Sequence, residues 1–247
     1  MTASSGPTPA GGGGPMGLSQ RAHRQLIGYL GLLLPVLLWI IAGLRPTGDL
    51  PPWRVLPSVS AYYYTGAVGV FTGVIFALSL FLFTYRGYAG VVADRVLGSA
   101  GGMAALGVAL FPTAAPRPLV EPTWWSGWVR TVHYVSAITL FLSFILFSIW
   151  LFRKSSVSRR ADRPRDKRRR DDICLACGIV MILAVLGAGW SGSRHGSIFW
   201  AEAVAIEAFA LSWLVKGEAR RSAMDAVRRL LAPTAPAPAS APRRRPG

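Results

Sequence analysis

Residues 131–152 read TVHYVSAITLFLSFILFSIWLF, and residues 153–170, directly after them, read RKSSVSRRADRPRDKRRR. The first stretch holds one imidazole, His133, and no acid or base. The second holds ten Lys and Arg. At about 1.5 Å of rise per residue, roughly 20 helical residues cross the ~30 Å hydrocarbon core of a bilayer. A water-facing helix of that length would carry a polar face, and this stretch has none. In lipid it must satisfy its own backbone hydrogen bonds, which a helix does within one segment. The arginine-rich stretch that follows cannot enter lipid, so it ends the span.

The same reading extends to runs at 26–44, 64–84, 96–114, 173–190 and 197–215. Across all six, the only ionisable acid, base or imidazole side chains are His133, Glu202 and Glu207. Barrel strands would alternate over about 10 residues, and no segment does. The expected fold class is therefore all-α: a polytopic membrane protein built as a six-transmembrane-helix bundle over 21–217. This explains how 52% hydrophobic residues coexist with a net charge of +16, since the two kinds of residue are segregated along the chain. The Gly- and Pro-rich segment 1–20 and the basic, Pro- and Ala-rich segment 218–247 lack the apolar side chains for a core and read as disordered tails. The first run is longer than the roughly 7–15-residue apolar core of a secretory signal, so it reads as an uncleaved helix.

With six spans and the N-terminus inside, the inside segments hold 22 Lys and Arg and the outside loops 5. The positive-inside rule then places both termini in the cytoplasm and the chain in the cell membrane. Trp53, Trp124, Trp125 and Trp128, with Tyr62, Tyr63 and Tyr64, fall at the outer interface, where aromatic belts sit. Small residues at Gly98 and Gly102, and at Gly69 and Gly73, point to close packing between the second and third helices. Pro35 and Pro112 are expected to bend or end their helices.

Two carboxylates are the most informative polar groups. Glu207 falls near the midplane, where Ser143 and Thr72 share its depth. Glu202 lies near the outer end of the sixth helix, about 140° around the axis from Glu207, so the two acids do not share a site. Arg130, His133 and Ser136 recur at one-turn spacing on the fourth helix. Ser58 and Ser60 precede the second span, and Tyr62 and Tyr63 follow them. Ser60, His133 and Glu202 are the candidate catalytic set of an outward-facing polar pocket, and Ser58, Tyr62, Tyr63, Arg130 and Ser136 are its candidate lining. Their bland reading is a hydrogen-bond cluster that pins the loops.

No metal or cofactor is expected. The three His residues, His23, His133 and His195, fall on different sides, and Cys174 and Cys177 lack a second ligand pair. The basic segments read as contacts for anionic lipid headgroups. Nucleic acid binding would require a recognition fold or stacking aromatics, which neither segment offers.

Ser58-Val59-Ser60-Ala61-Tyr62-Tyr63, Tyr85-Arg86-Gly87-Tyr88 and Phe199-Trp200-Ala201-Glu202 together resemble a family of bacterial multi-pass membrane proteins without an assigned activity. The resemblance spans about residues 26–217 and implies the six-helix bundle. Three functions follow as expectations. The first is a non-enzymatic scaffold, sensor or assembly factor. The second is a lipid-acting hydrolase using Ser60, His133 and Glu202, and the third a small-solute or proton-coupled transporter using Glu207.

Overall fold

The computed structural model describes residues 20–85, 92–154, 161 and 163–231. Most of the tails expected to be disordered lies outside the described residues. Among the described residues the chain is all-helical and has no strand. Six α-helices run in order: α1 Gln20–Leu44, α2 Val68–Phe83, α3 Val92–Leu110, α4 Gly127–Ile149, α5 Arg165–His195 and α6 Phe199–Leu231. Short 3-10 turns occupy Ser60–Tyr64 and Leu151–Arg153. Three of these helices are long and apolar enough to cross a membrane, over Gln25–Leu44, Gly127–Arg153 and Arg165–His195. Helix α2 is apolar but has only 16 residues. Helix α3 is diluted by glycine, alanine and Asp94, and α6 carries Glu202, Glu207 and Lys216.

The helices form a ring in which each packs against its neighbours in the chain, α1 closes onto α6, and α4 reaches across to α6. The α1–α2, α3–α4 and α5–α6 connections meet at one end, rich in Trp and Tyr. There Ile198 N–H donates to Pro57 O at 2.7 Å and Tyr64 O–H to Thr113 O. The opposite end is basic. Lys216 Nζ donates to Phe152 O at 2.9 Å, Lys154 pairs with Asp94 at 3.7 Å, and buried Asp171 binds Arg163 and Lys167.

The outward surface is apolar. Ile138 on α4 is 61% exposed, and Leu183 and Leu186 on α5 are 63% and 67% exposed. Apolar side chains turned outward along whole helices suit hydrocarbon, whereas a water-soluble bundle would turn polar ones out. Inside, the Phe144 and Phe209 rings stack at 3.4 Å between centroids. Trp213 is fully buried among Tyr85, Phe147, Phe152 and Phe209.

Several boundaries differ from the sequence reading. The second run begins as a 3-10 turn, because Thr65 Oγ1 donates to Tyr62 O and accepts Ala67 N–H, capping the turn before α2 can start. Helix α1 continues through Pro35, and α3 stops two residues before Pro112. Helices α5 and α6 extend beyond their apolar runs at the basic end, so Leu231, expected in a tail, closes a helix.

The two glycine pairs also part company. A Cβ on Gly98 would stand 2.8 Å from Leu82 O, and Ser79 Oγ donates to Gly102 O at 2.8 Å, so this pair is where α3 meets α2. Gly69 and Gly73 instead face open space, because their side of α2 points out of the ring.

Candidate functional site

Helices α4 and α5 touch closely at the basic end and part toward the aromatic end. Gly178 permits the close contact, since a Cβ there would run into Ile149. Further along α5, one face repeats small residues at Ala184, Ala188, Gly192 and Gly196. Side chains this small leave the widening gap unfilled. Gly196 adopts the left-handed conformation (φ +65°) that ends α5 and lets α6 begin three residues later.

The gap is a partly open cavity of about 690 Å³. Helix α4 contributes His133, Ala137, Phe141 and Ile145 to its wall, and α6 contributes Ala201, Glu202 and Ala205. Tyr134, Ile138 and Leu142 of α4 and Val185 of α5 line it and are also exposed, so its mouth opens sideways between these two helices. The aromatic end is closed by Pro57, Ser58, Ser60 and Ala61 of the α1–α2 connection and by Thr113, Ala114 and Pro116 of the α3–α4 connection.

The polar atoms gather at that closed end. Glu202 Oε2 accepts the Val59 N–H at 2.6 Å, which ties the α1–α2 connection to the first turn of α6. Its other oxygen has no partner among the described residues. His133 is buried, and its Nδ1 lies 2.7 Å from Phe111 O. A carbonyl only accepts, so Nδ1 carries the proton and Nε2 is the basic nitrogen of the neutral ring. The Ser58 hydroxyl accepts Ala61 N–H at 3.0 Å. The Ser60 hydroxyl makes no hydrogen bond among the described residues. A smaller void of about 40 Å³ lies behind Glu202 and Ser60, toward Gly31 of α1.

Ser58, Ser60, His133 and Glu202 therefore share one cavity. The three candidate catalytic groups are not joined by hydrogen bonds: Glu202 is engaged by Val59 and His133 by Phe111. The other candidate lining residues stand elsewhere. Tyr62 is fully buried beneath the connection, its ring against Phe199 and its oxygen 3.5 Å from Leu56 N. Burial pushes its phenol above the ordinary value, opposed by that Leu56 N–H. Tyr63 packs on Tyr64 and Phe71. Arg130 is exposed, and Ser136 packs against Gly107 of α3. One-turn spacing leaves about 60° between successive members, enough to send Arg130, His133 and Ser136 to different neighbours.

Glu207 lies outside the cavity, on the side of α6 between its α1-facing residues and its exposed ones. Ser143 and Thr72 donate to carbonyls of their own helices, Thr139 O and Val68 O, at 2.8 Å each. Among the described residues no cluster of His, Cys, Asp and Glu is placed to hold a metal ion, and Cys174 and Cys177 are buried thiols.

The small-residue face of α5 carries no chemical group that marks it in the sequence as part of a site. Its signal was present as Ala or Gly at every fourth position from 184 to 196. One prediction follows from the Glu202 anchor. Replacing Glu202 with Ala strands a buried N–H and should lower stability in detergent by about 1–3 kcal/mol, whereas Glu202→Gln keeps an acceptor oxygen and should lose much less. Thermal unfolding of both variants checks this, and equal losses would mean that the Val59 bond is not the anchor. Comparison of the chain with protein families, with characterised proteins and with solved structures returns no match.

Proposed function

We propose that this chain is a non-enzymatic, multi-pass protein of a bacterial cell membrane that holds a membrane lipid in the α4–α5–α6 cavity, acting as a sensor or carrier. The supporting observation is a cavity with apolar walls, a side opening between outward-facing apolar side chains, and polar groups at one end only. A lipid lying in the bilayer has the same polarity profile. The arrangement favours holding a ligand over hydrolysing one, because among the described residues no hydrogen bond joins Ser60 to His133 or His133 to Glu202, so no base is set on the Ser60 hydroxyl. Proton transport through Glu207 gains no support from a cavity that does not reach it.

In this reading all six helices are spans. Helix α2 reaches the surface with the help of its preceding 3-10 turn, α3 carries Asp94 at its basic end, and α6 carries Glu202 and Lys216 near the ends of its apolar run and Glu207 half-buried beside α1. The aromatic end faces outward and the basic end faces the cytoplasm, with both termini inside. Arg165, Arg168 and Arg169 border a shallow depression at the start of α5, suited to anionic headgroups at about 1 kcal/mol per basic residue near the surface. In intact cells a membrane-impermeant maleimide should label Glu121→Cys and spare Asp166→Cys. The reverse pattern would invert the orientation.

The lipid-binding reading is tested by filling the gap. Ala188 lines it from α5, and Ala188→Phe places a ring in the space. The purified wild-type chain should retain about one lipid per molecule through detergent exchange, and the variant should retain several-fold less at unchanged thermal stability. Equal retention by a folded variant would rule the cavity out as the lipid site.

A further inference from the structure

The size and chemistry of the cavity narrow its occupant. From His133 to Ile145 along α4 is twelve residues, or about 18 Å. An extended hydrocarbon advances about 1.25 Å per carbon at ordinary bond lengths and angles, so about 14 carbons fill that length. With roughly 30 Å³ allowed per methylene, similar to the room taken by a water molecule, such a chain occupies about 420 Å³ of the 690 Å³ present. Two chains would need about 840 Å³ on the same allowance and do not fit together. The remainder holds a headgroup of a few heavy atoms.

The headgroup is selected by charge. Among the described residues no Lys or Arg lines the cavity. Arg130 of α4 is exposed away from it, and Arg194 of α5 lies over the Trp190 ring at 4.9 Å. The polar groups that line the headgroup end offer mostly acceptors: the free Glu202 oxygen, His133 Nε2 and the Ser60 oxygen, with the Ser60 O–H as a donor. A carboxylate or phosphate headgroup would meet an acid and no cation among the described lining residues, with the single Ser60 O–H to set against its desolvation cost. An ammonium headgroup has three N–H donors, one for each of these acceptors, and a diol headgroup has two O–H donors to share among them.

The geometry points to a single-chain amphiphile of about 14 carbons with a hydrogen-bond-donating headgroup, seated between α4, α5 and α6 with its head on Glu202, His133 and Ser60. This inference rests on the lipid-binding reading and specifies its ligand.

Native mass spectrometry of the full chain, with tetradecylamine, monomyristoylglycerol and myristate added separately, tests it. The amine and the glyceride should each bind one to one, at least about tenfold tighter than myristate, as expected when a buried acceptor keeps or loses its donor. In Glu202→Gln the amine should weaken by about tenfold while the glyceride changes little, because only the amine gains from the charge. Ala188→Phe should remove binding of both, and Ala184→Phe serves if the first variant does not fold. Myristate binding as tightly as the other two, or an amine affinity indifferent to Glu202→Gln, would overturn the headgroup assignment and leave the lipid-binding reading standing. No binding of any amphiphile, or binding unchanged in both filled variants, would overturn the reading itself.

Discussion

Gly98→Leu is expected to prevent the bundle from assembling. A Cβ at Gly98 already stands 2.8 Å from Leu82 O, and that neighbour is backbone, which cannot rotate aside. The whole leucine side chain would have to push α3 off α2, breaking the Ser79–Gly102 hydrogen bond next to it. In lipid there is little hydrophobic drive to hold separated helices together, so close packing carries the association. Overpacking of this kind costs about 1–3 kcal/mol where side chains can adjust, and more where backbone is the obstacle. The expected result is near-complete loss of folded, detergent-extractable protein. Gly69→Leu is the internal control: that glycine has open space beside it and should tolerate the change. Equal loss in both variants would mean that the α2 face carrying Gly69 and Gly73 is covered in the membrane.

Trp213→Ala is the second large expected effect. The indole is fully buried and ringed by Tyr85, Phe147, Phe152 and Phe209, with centroids 5.0–5.8 Å away. It joins α6 to α4 and to the end of α2. A membrane protein regains little transfer free energy on burial, so the cost is mainly the cavity left behind, at about 24 cal/mol per Å³. That amounts to roughly 3 kcal/mol for an indole removed from a site this crowded. Trp213→Phe should cost well under half as much. The indole N–H has no acceptor among the described residues, so phenylalanine loses volume but no hydrogen bond. Unfolding of the two variants in matched detergent separates these outcomes. Equal destabilisation would indicate that the indole nitrogen, instead of packing, is what matters.

The helical character of the chain was legible from the apolar runs because lipid leaves few alternatives: twenty-odd residues without charge in 131–152 have one low-energy conformation there. Helix ends were less legible. The basic segment 165–170 continues α5, and the segment up to Leu231 continues α6, because charge does not prevent a helix and only keeps it out of hydrocarbon. At the site, the gathering of Ser60, His133 and Glu202 around one space could be anticipated from their common depth. Their bonding could not. The Val59 N–H that engages Glu202 and the Phe111 carbonyl that engages His133 are backbone groups, which residue types do not reveal. Arg130 and Ser136 show a further limit of periodicity, since residues one turn apart near the edge of a face meet different neighbours. The cavity itself comes from what is missing on α5. A repeated alanine or glycine reads equally as tight packing, as at Gly178 against Ile149, or as empty space, as at Ala188. Only the divergence of α4 from α5 decides which.

The most direct test of a lipid cavity opening sideways into the bilayer is photolabelling in vesicles. A 14-carbon monoacylglycerol bearing a diazirine in mid-chain would be cross-linked to the full chain and the adducts mapped by peptide mass spectrometry. The account predicts saturable labelling concentrated on α4 between Ile138 and Ile145 and on α5 between Ala184 and Ala188, lost when unlabelled monomyristoylglycerol is added. Labelling spread evenly over the outward faces of α1, α2 and α5, and indifferent to the competitor, would contradict it.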